Sequence, residues 1–222
     1  MKQPVVDYKS FKFSRIHEPQ YAHIKLLLGW VIYFAFYFLT ENLIPRERCH
    51  VMHNFIDDLV PFTEWFVIFY VSWFFLIIFS LLHFFLYDIQ SFKDLSWFII
   101  ITQIVAMAVY ILYPNRQDLR PEVFPRQNVF TWVLSIIYAF DTPTGVCPSL
   151  HVAYSIGIAS VWAKKKDAPV ALRVFIVALC VMICLSVMFV KQHSAVDVLW
   201  ALPVALLAEL IVFRRRYFKK AG

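Results

Sequence analysis

Two histidines, a serine, a lysine and an aspartate fall in two short clusters, Cys147-Pro148-Ser149-Leu150-His151 and Lys191-Gln192-His193-Ser194-Ala195-Val196-Asp197, each at the head of an apolar run. Such a set suits phosphoryl chemistry: an imidazole can act as nucleophile or proton carrier, while cations and N–H donors hold the phosphate oxygens. If a helix begins just after Gln192, His193 and Asp197 stand one turn apart on the same face. The carboxylate then accepts a hydrogen bond from one ring nitrogen, fixes the tautomer and leaves the other nitrogen as the nucleophile. An aspartate in an apolar span costs about 2.5 to 3.5 kcal/mol on insertion scales, so it is usually paired or functional. The competing reading of Asp197 is an acid at a helix N-terminus that satisfies loose amides and the dipole.

The other cluster supplies complementary parts. Pro148 fits a first helical turn, and Thr144 or Ser149 can cap it, so a bound phosphate would meet N–H donors and a positive dipole end. The Ser149 hydroxyl adds a donor. His151 is placed to protonate a departing alkoxide, a role typically worth about 10²- to 10⁴-fold. Fixed positive charge for the transition state can come from the preceding loop, which holds Arg116, Arg120 and Arg126. Contact with lipid phosphates at the interface is the alternative for Arg116 and Arg126.

The elements that must carry these residues are membrane helices. Of the 222 residues, 61% are hydrophobic, 18% aromatic and only 16% charged, which lies outside the range of soluble domains of this size. Apolar runs long enough to cross roughly 30 Å of hydrocarbon lie near 26–44, 65–87, 95–113, 149–163, 174–190 and 195–213. The expected fold is therefore all-α: one integral membrane domain over residues 1–222 with six transmembrane helices. A seventh apolar run, Asn128 to Phe140, is too short to span and predicts a short interfacial or re-entrant helix before the fourth span. Placing both termini in the cytoplasm puts fifteen Lys and Arg inside and six outside, with residues 1–25 and the basic tail 214–222 cytoplasmic and both clusters extracytoplasmic.

Composition also narrows the function classes. The net charge of +6 reads as a topology signal and an attraction to anionic headgroups, not as a nucleic-acid footprint. Four glycines, Gly29, Gly145, Gly157 and Gly222, cannot build a Walker loop or a dinucleotide fingerprint, so no nucleotide is expected. Residues 1–23 lack the apolar core of a cleaved signal peptide. Cys180 and Cys184 fall inside an expected span as packing thiols, while Cys49 and Cys147 both fall on the outer side, where they could pair. Cys49, His50, His53, Asp57 and Asp58 crowd the first outer loop, but no second ligand pair of standard spacing follows. No metal and no cofactor is expected.

The chemistry-bearing spacings resemble those of the type 2 phosphatidic acid phosphatase superfamily. Its second motif, Pro-Ser-x-His, is similar to Pro148-Ser149-Leu150-His151, and its third, Ser followed by His-x-x-x-Asp, is similar to Ser186, His193 and Asp197. Arg120-Pro121 resembles the end of the first motif, whose lysine position is held by Tyr113, with Arg116 a possible substitute. The third-motif arginine corresponds to Val187. Lys191, four residues on, would lie about 40° from it around a continuing helix and could supply the lost charge. These departures, with Asp57-Asp58-Leu59-Val60-Pro61-Phe62 and Trp65, look like the branch that contains inositol phosphorylceramide and sphingomyelin synthases.

The resemblance implies a metal-independent site on the outer face of the cell membrane, acting on a membrane lipid phosphate. His193 would attack phosphorus and form a phosphohistidine, His151 would protonate the leaving alcohol, and Ser149, Lys191, Arg120 and Arg116 would hold the phosphate. Hydrolysis of a phosphatidate or polyprenyl diphosphate is the first expectation, and transfer of a phospho-headgroup to a lipid alcohol the alternative. From another class, intramembrane His, Asp and Lys also mark proton or anion relays in small transporters.

Overall fold

The computed structural model describes residues 3–214 and 217. The chain is 70% helix and 2% strand. Among the described residues eight α-helices carry the fold: α1 (Leu28–Leu43), α2 (Phe55–Leu59), α3 (Val67–Tyr87), α4 (Ile89–Leu112), α5 (Val129–Phe140), α6 (Leu150–Lys164), α7 (Val170–Phe189) and α8 (Ala195–Val212). The strands β1 (His50–Val51) and β2 (Asn115–Arg116) pair in parallel, with His50 opposite Asn115. The basic tail read from the sequence lies, apart from Arg214 and Tyr217, outside the described residues.

Each expected apolar run is helical, but the count of spans differs from six. Among the described residues four helices are long and apolar enough to cross a membrane: Glu64–Tyr87, which includes the 3₁₀ turn before α3, then α4, α7 and α8. The two others, α1 with 16 residues and α6 with 15, are shorter. For α6 there is a packing reason. It is the central helix, set against α7, α4, α8 and α3, so its neighbours rather than lipid cover it and a full hydrocarbon length is not demanded of it. The outer helices instead present large apolar side chains outward, among them Phe75, Ile78, Phe175, Val181, Leu199 and Leu206. This is the surface of a membrane protein, where outward apolar groups suit contact with lipid.

Local chemistry sets the helix ends. Asp88 alone separates α3 from α4; its N–H bonds Phe84 O at 2.8 Å, closing α3, and its carboxylate accepts Ser91 N–H at 3.1 Å, opening α4. Helix α5 starts on an Asn128–Thr131 capping box, and α8 on a Ser194–Asp197 box. Close approach of α4 and α6 depends on Gly157, where an added Cβ would lie 2.5 Å from Phe98 Cδ1. Inside the bundle Trp162 donates to Ser80 Oγ at 3.0 Å.

Candidate active site

The mouths of α6 and α8 meet. Ser149 N–H donates to Asp197 O at 3.1 Å, which ties the two clusters together across the bundle. The sequence predicts a helix that starts just after Gln192, but α8 starts at Ala195 with Ser194 as its extended N-cap, so His193 stands ahead of the helix rather than on its face. The capping turn still brings its Nδ1 to 3.3 Å from Asp197 Oδ2, which leaves Nε2 as the ring's other nitrogen. The rings of His151 and His193 are 5.7 Å apart, edge to face. Both line one cavity of about 660 Å³.

The cavity has two characters. At its polar end are His151, His193, Gln192, Asp141, Thr142 and Thr144; the remainder is aromatic and aliphatic, including Trp30, Phe34, Trp73, Phe74, Ile77, Ile78 and Leu81. Its wall follows α3 from Tyr70 to Leu81, which at 1.5 Å per residue is about 16 Å. His151 packs against Tyr70 (4.6 Å between rings) and Trp73 (4.3 Å), and its Nε2 is buried with no hydrogen-bond partner among the described residues. A buried ring nitrogen without a partner is expensive; a group entering the cavity can relieve that cost.

Asp197 combines the two roles weighed for it. Its Oδ2 accepts from Ser194 N–H at 2.9 Å as the capping acid of α8 and also faces His193. Ser149, fully buried, is the N-cap of α6, its hydroxyl oxygen accepting from Val152 N–H at 3.4 Å. It is not among the residues lining the cavity; of the two roles read from the sequence the structure displays the capping one, which uses the oxygen as acceptor and does not consume the O–H.

The expected cations are occupied elsewhere. Helix α7 ends at Phe189 rather than continuing to residue 191. Gln192 N–H bonds Val187 O at 2.9 Å and Lys191 N–H bonds Met188 O at 3.1 Å, a Schellman ending with Lys191 in the left-handed region at φ 52°. A non-glycine residue there costs roughly 1 to 2 kcal/mol. The Lys191 ammonium donates to Asp57 O at 2.8 Å and Val60 O at 2.5 Å, away from the cavity; burial pushes its pKa down, against the charges of Asp57 and Asp58. The continuing-helix argument that aimed Lys191 at the phosphate therefore fails.

Arg116 likewise turns outward, to Arg46 O at 3.0 Å and Asp118 at 3.2 Å. Arg126 forks onto Glu64 with two contacts of 2.6 Å, and Asn128 adds a third bond to the same carboxylate. Arg120 bonds two residues of the cavity wall, Gln192 and Asp141. Its guanidinium donates to Gln192 Oε1 (2.9 and 2.5 Å), Asp141 O (2.8 Å) and Tyr138 O (3.2 Å) and lies over the Tyr138 ring. It thus backs the cavity wall through Gln192, whose Nε2 reaches Asp141 Oδ2 at 3.0 Å and Tyr70 OH at 3.3 Å.

Residues outside the sequence-based set hold the site in place. Asn115, fully buried, uses every bonding position of its carboxamide: Oδ1 accepts from Val146 and Cys147 N–H, both at 2.8 Å, and Nδ2 donates to Tyr113 O at 2.9 Å and Cys147 O at 3.0 Å. Tyr110 OH donates to Pro148 O at 2.8 Å. Gly145, at φ 61°, packs its backbone against the Tyr110 ring, 3.3 Å from where a Cβ would sit. Asp57, on α2, reaches the start of α8. No sequence signal separates Asn115 from other polar loop residues; Asp57 was signalled only as a metal candidate and as part of the stretch Asp57–Phe62, and Gln192 only by its place beside His193.

The cysteines are free thiols, Cys49 and Cys147 included, and both of these are buried. Burial, with the Asp197 charge adding to it, pushes the Cys147 thiol up to about 12, which keeps it protonated and weakly nucleophilic at neutral pH. The first-loop candidates for a metal are dispersed: Cys49 faces Pro45 O, His53 pairs with Asp58, and Asp57 turns inward. Among the described residues no three His, Cys, Asp or Glu side chains gather as a ligand set. No family model, curated protein or solved structure matches the chain.

Proposed function

We propose that this protein is a membrane lipid phosphatase that hydrolyses a lipid phosphate or diphosphate through a phosphohistidine. The observation that carries the reading is the convergence of His193, oriented by Asp197, with His151 at one end of a cavity whose other walls are apolar. His193 Nε2 attacks phosphorus, the bond from phosphorus to the lipid oxygen breaks, and His151 gives that oxygen its proton. Water then attacks the phosphohistidine with His151 as base, releasing phosphate and restoring His193. Arg120 contributes positive charge through Gln192, and the apolar wall along α3 takes the lipid chain.

The six-span layout belongs to the same proposal: α1 and α6 complete the crossing beside the four longer helices. Both termini are cytoplasmic, and the site faces outward at the cell membrane, as the distribution of Lys and Arg favours.

A second reading, transfer of a phospho-headgroup to a lipid alcohol, is supported by the aromatic cavity, which would accept a lipid acceptor and exclude water. Purified protein with chelator present, assayed on a lipid-phosphate panel with and without acceptor alcohols, separates the two by free phosphate against a new phospholipid. His193→Ala should abolish both activities and the acid-labile, base-stable phosphoryl adduct. Turnover retained by His193→Ala would falsify the mechanism, and transport in sealed vesicles without turnover would replace it with a relay.

A further inference from the structure

The loop that carries His193 is gripped from outside the bundle by α2. Asp57 is 4% exposed, and its carboxylate takes three hydrogen bonds: Oδ1 from Ala195 N–H at 2.7 Å, and Oδ2 from Ser194 Oγ at 2.5 Å and Asn54 N–H at 2.7 Å. Lys191 returns the tie through its ammonium, on the carbonyls of Asp57 and Val60. Thr63 N–H adds a bond to Phe189 O at 2.9 Å. His193 sits between these anchor points. The oxygen that orients its ring, Asp197 Oδ2, also accepts from Ser194 N–H, so the place of that oxygen depends on where Ser194 is held.

We infer that Asp57 is a positioning residue for His193. It fixes Ser194 and the first turn of α8, and through them the Asp197–His193 pair, while Lys191 locks α2 in register. The strained backbone of Lys191 fits this account: glycine would take φ 52° more readily, but only a long cationic side chain can also reach both α2 carbonyls. A carboxylate suits position 57 because three donors converge on it, whereas an asparagine would turn an N–H₂ towards one of them. The assignment rests on reading His193 as the nucleophile, where misplacement by about 1 Å can cost on the order of 10²-fold.

The test is Asp57→Asn in the full-length protein, read by kcat, KM, the rate of phosphohistidine formation and the ¹⁵N signals of the His193 ring. The expected result is a fall in kcat of about 10- to 100-fold, in the range of other losses of orienting partners, with KM little changed. Adduct formation should slow in step and the ring signals should shift, while Asp57→Glu recovers part of the rate. A kcat equal to wild type, or slow turnover with unshifted His193 signals, overturns the proposal. Should Asp57→Asn fail to fold, Lys191→Met loosens the same brace from the other side; a smaller loss of kcat with the same signal shift supports the proposal, and wild-type kcat overturns it. His193→Ala keeps the two readings apart: an active variant removes the nucleophile, whereas an inactive one beside a normal Asp57→Asn removes only the positioning role.

Discussion

Replacing Asn115 should unseat the cluster that carries His151, although Asn115 itself does not line the cavity. Its carboxamide is the partner of Val146 and Cys147 N–H and of Cys147 and Tyr113 C=O, all within 3.0 Å. Asn115→Ala strands two buried donors, each costing about 1 to 3 kcal/mol when left without a partner, so the expected destabilisation is about 2 to 6 kcal/mol. Water admitted to the gap would move the cost towards the lower end. Asn115→Asp is the sharper variant, because it keeps the shape and both acceptor interactions but places an oxygen where Nδ2 met two carbonyls. A buried charge left facing two carbonyl oxygens costs on the order of 3 to 5 kcal/mol, so the isosteric change should harm about as much as alanine. Thermal unfolding in detergent, with lipid-phosphate turnover of the folded fraction, measures both effects. If Asn115→Asp unfolds and turns over like wild type, the clamp on residues 146–148 is not what holds this loop and the reasoning fails.

Three further outcomes follow from the packing and the charges. Gly157→Ala should destabilise by about 1 to 3 kcal/mol through overpacking despite its helical preference, since the buried Phe98 ring lies 2.5 Å from the new carbon; adding Phe98→Leu should recover part of the loss in the same thermal assay. At the opposite end of the bundle Lys165 bonds Asp88 at 2.6 Å. Burial raises the pKa of Asp88, but bonds from Lys165 and Ser91 outweigh it and the net shift is downward. That contribution to stability is full above the ordinary carboxylate value near 4 and fades as pH falls through the lower folded value, so the advantage of wild type over Lys165→Met should shrink in acid; an advantage independent of pH there would refute it. Finally, Lys191→Gln should lower kcat by loosening α2, and adding Val187→Arg should not restore it, because residue 187 is buried and Lys191 is turned to carbonyls; rescue by the arginine would return Lys191 to the phosphate.

The sequence by itself determined what depends on local geometry. Long apolar runs became helices because their backbone groups bond within the segment, and the four-residue step from His193 to Asp197 kept the two within reach, although through the capping turn at Ser194 rather than along one helical face. The short apolar run from Asn128 is likewise a helix, opened by its own capping box. Tertiary structure alone decided which partner each polar head meets. Lys191 lies on carbonyls more than a hundred residues earlier in the chain, Arg126 on Glu64, Arg120 on Gln192 and Asp57 on the start of α8. Long side chains can satisfy their charges on any element within reach, so their direction follows from where the bundle brings remote segments together. What surrounds α6 is decided in the same way: the helices packed on it, rather than its own residues, set the medium it lies in.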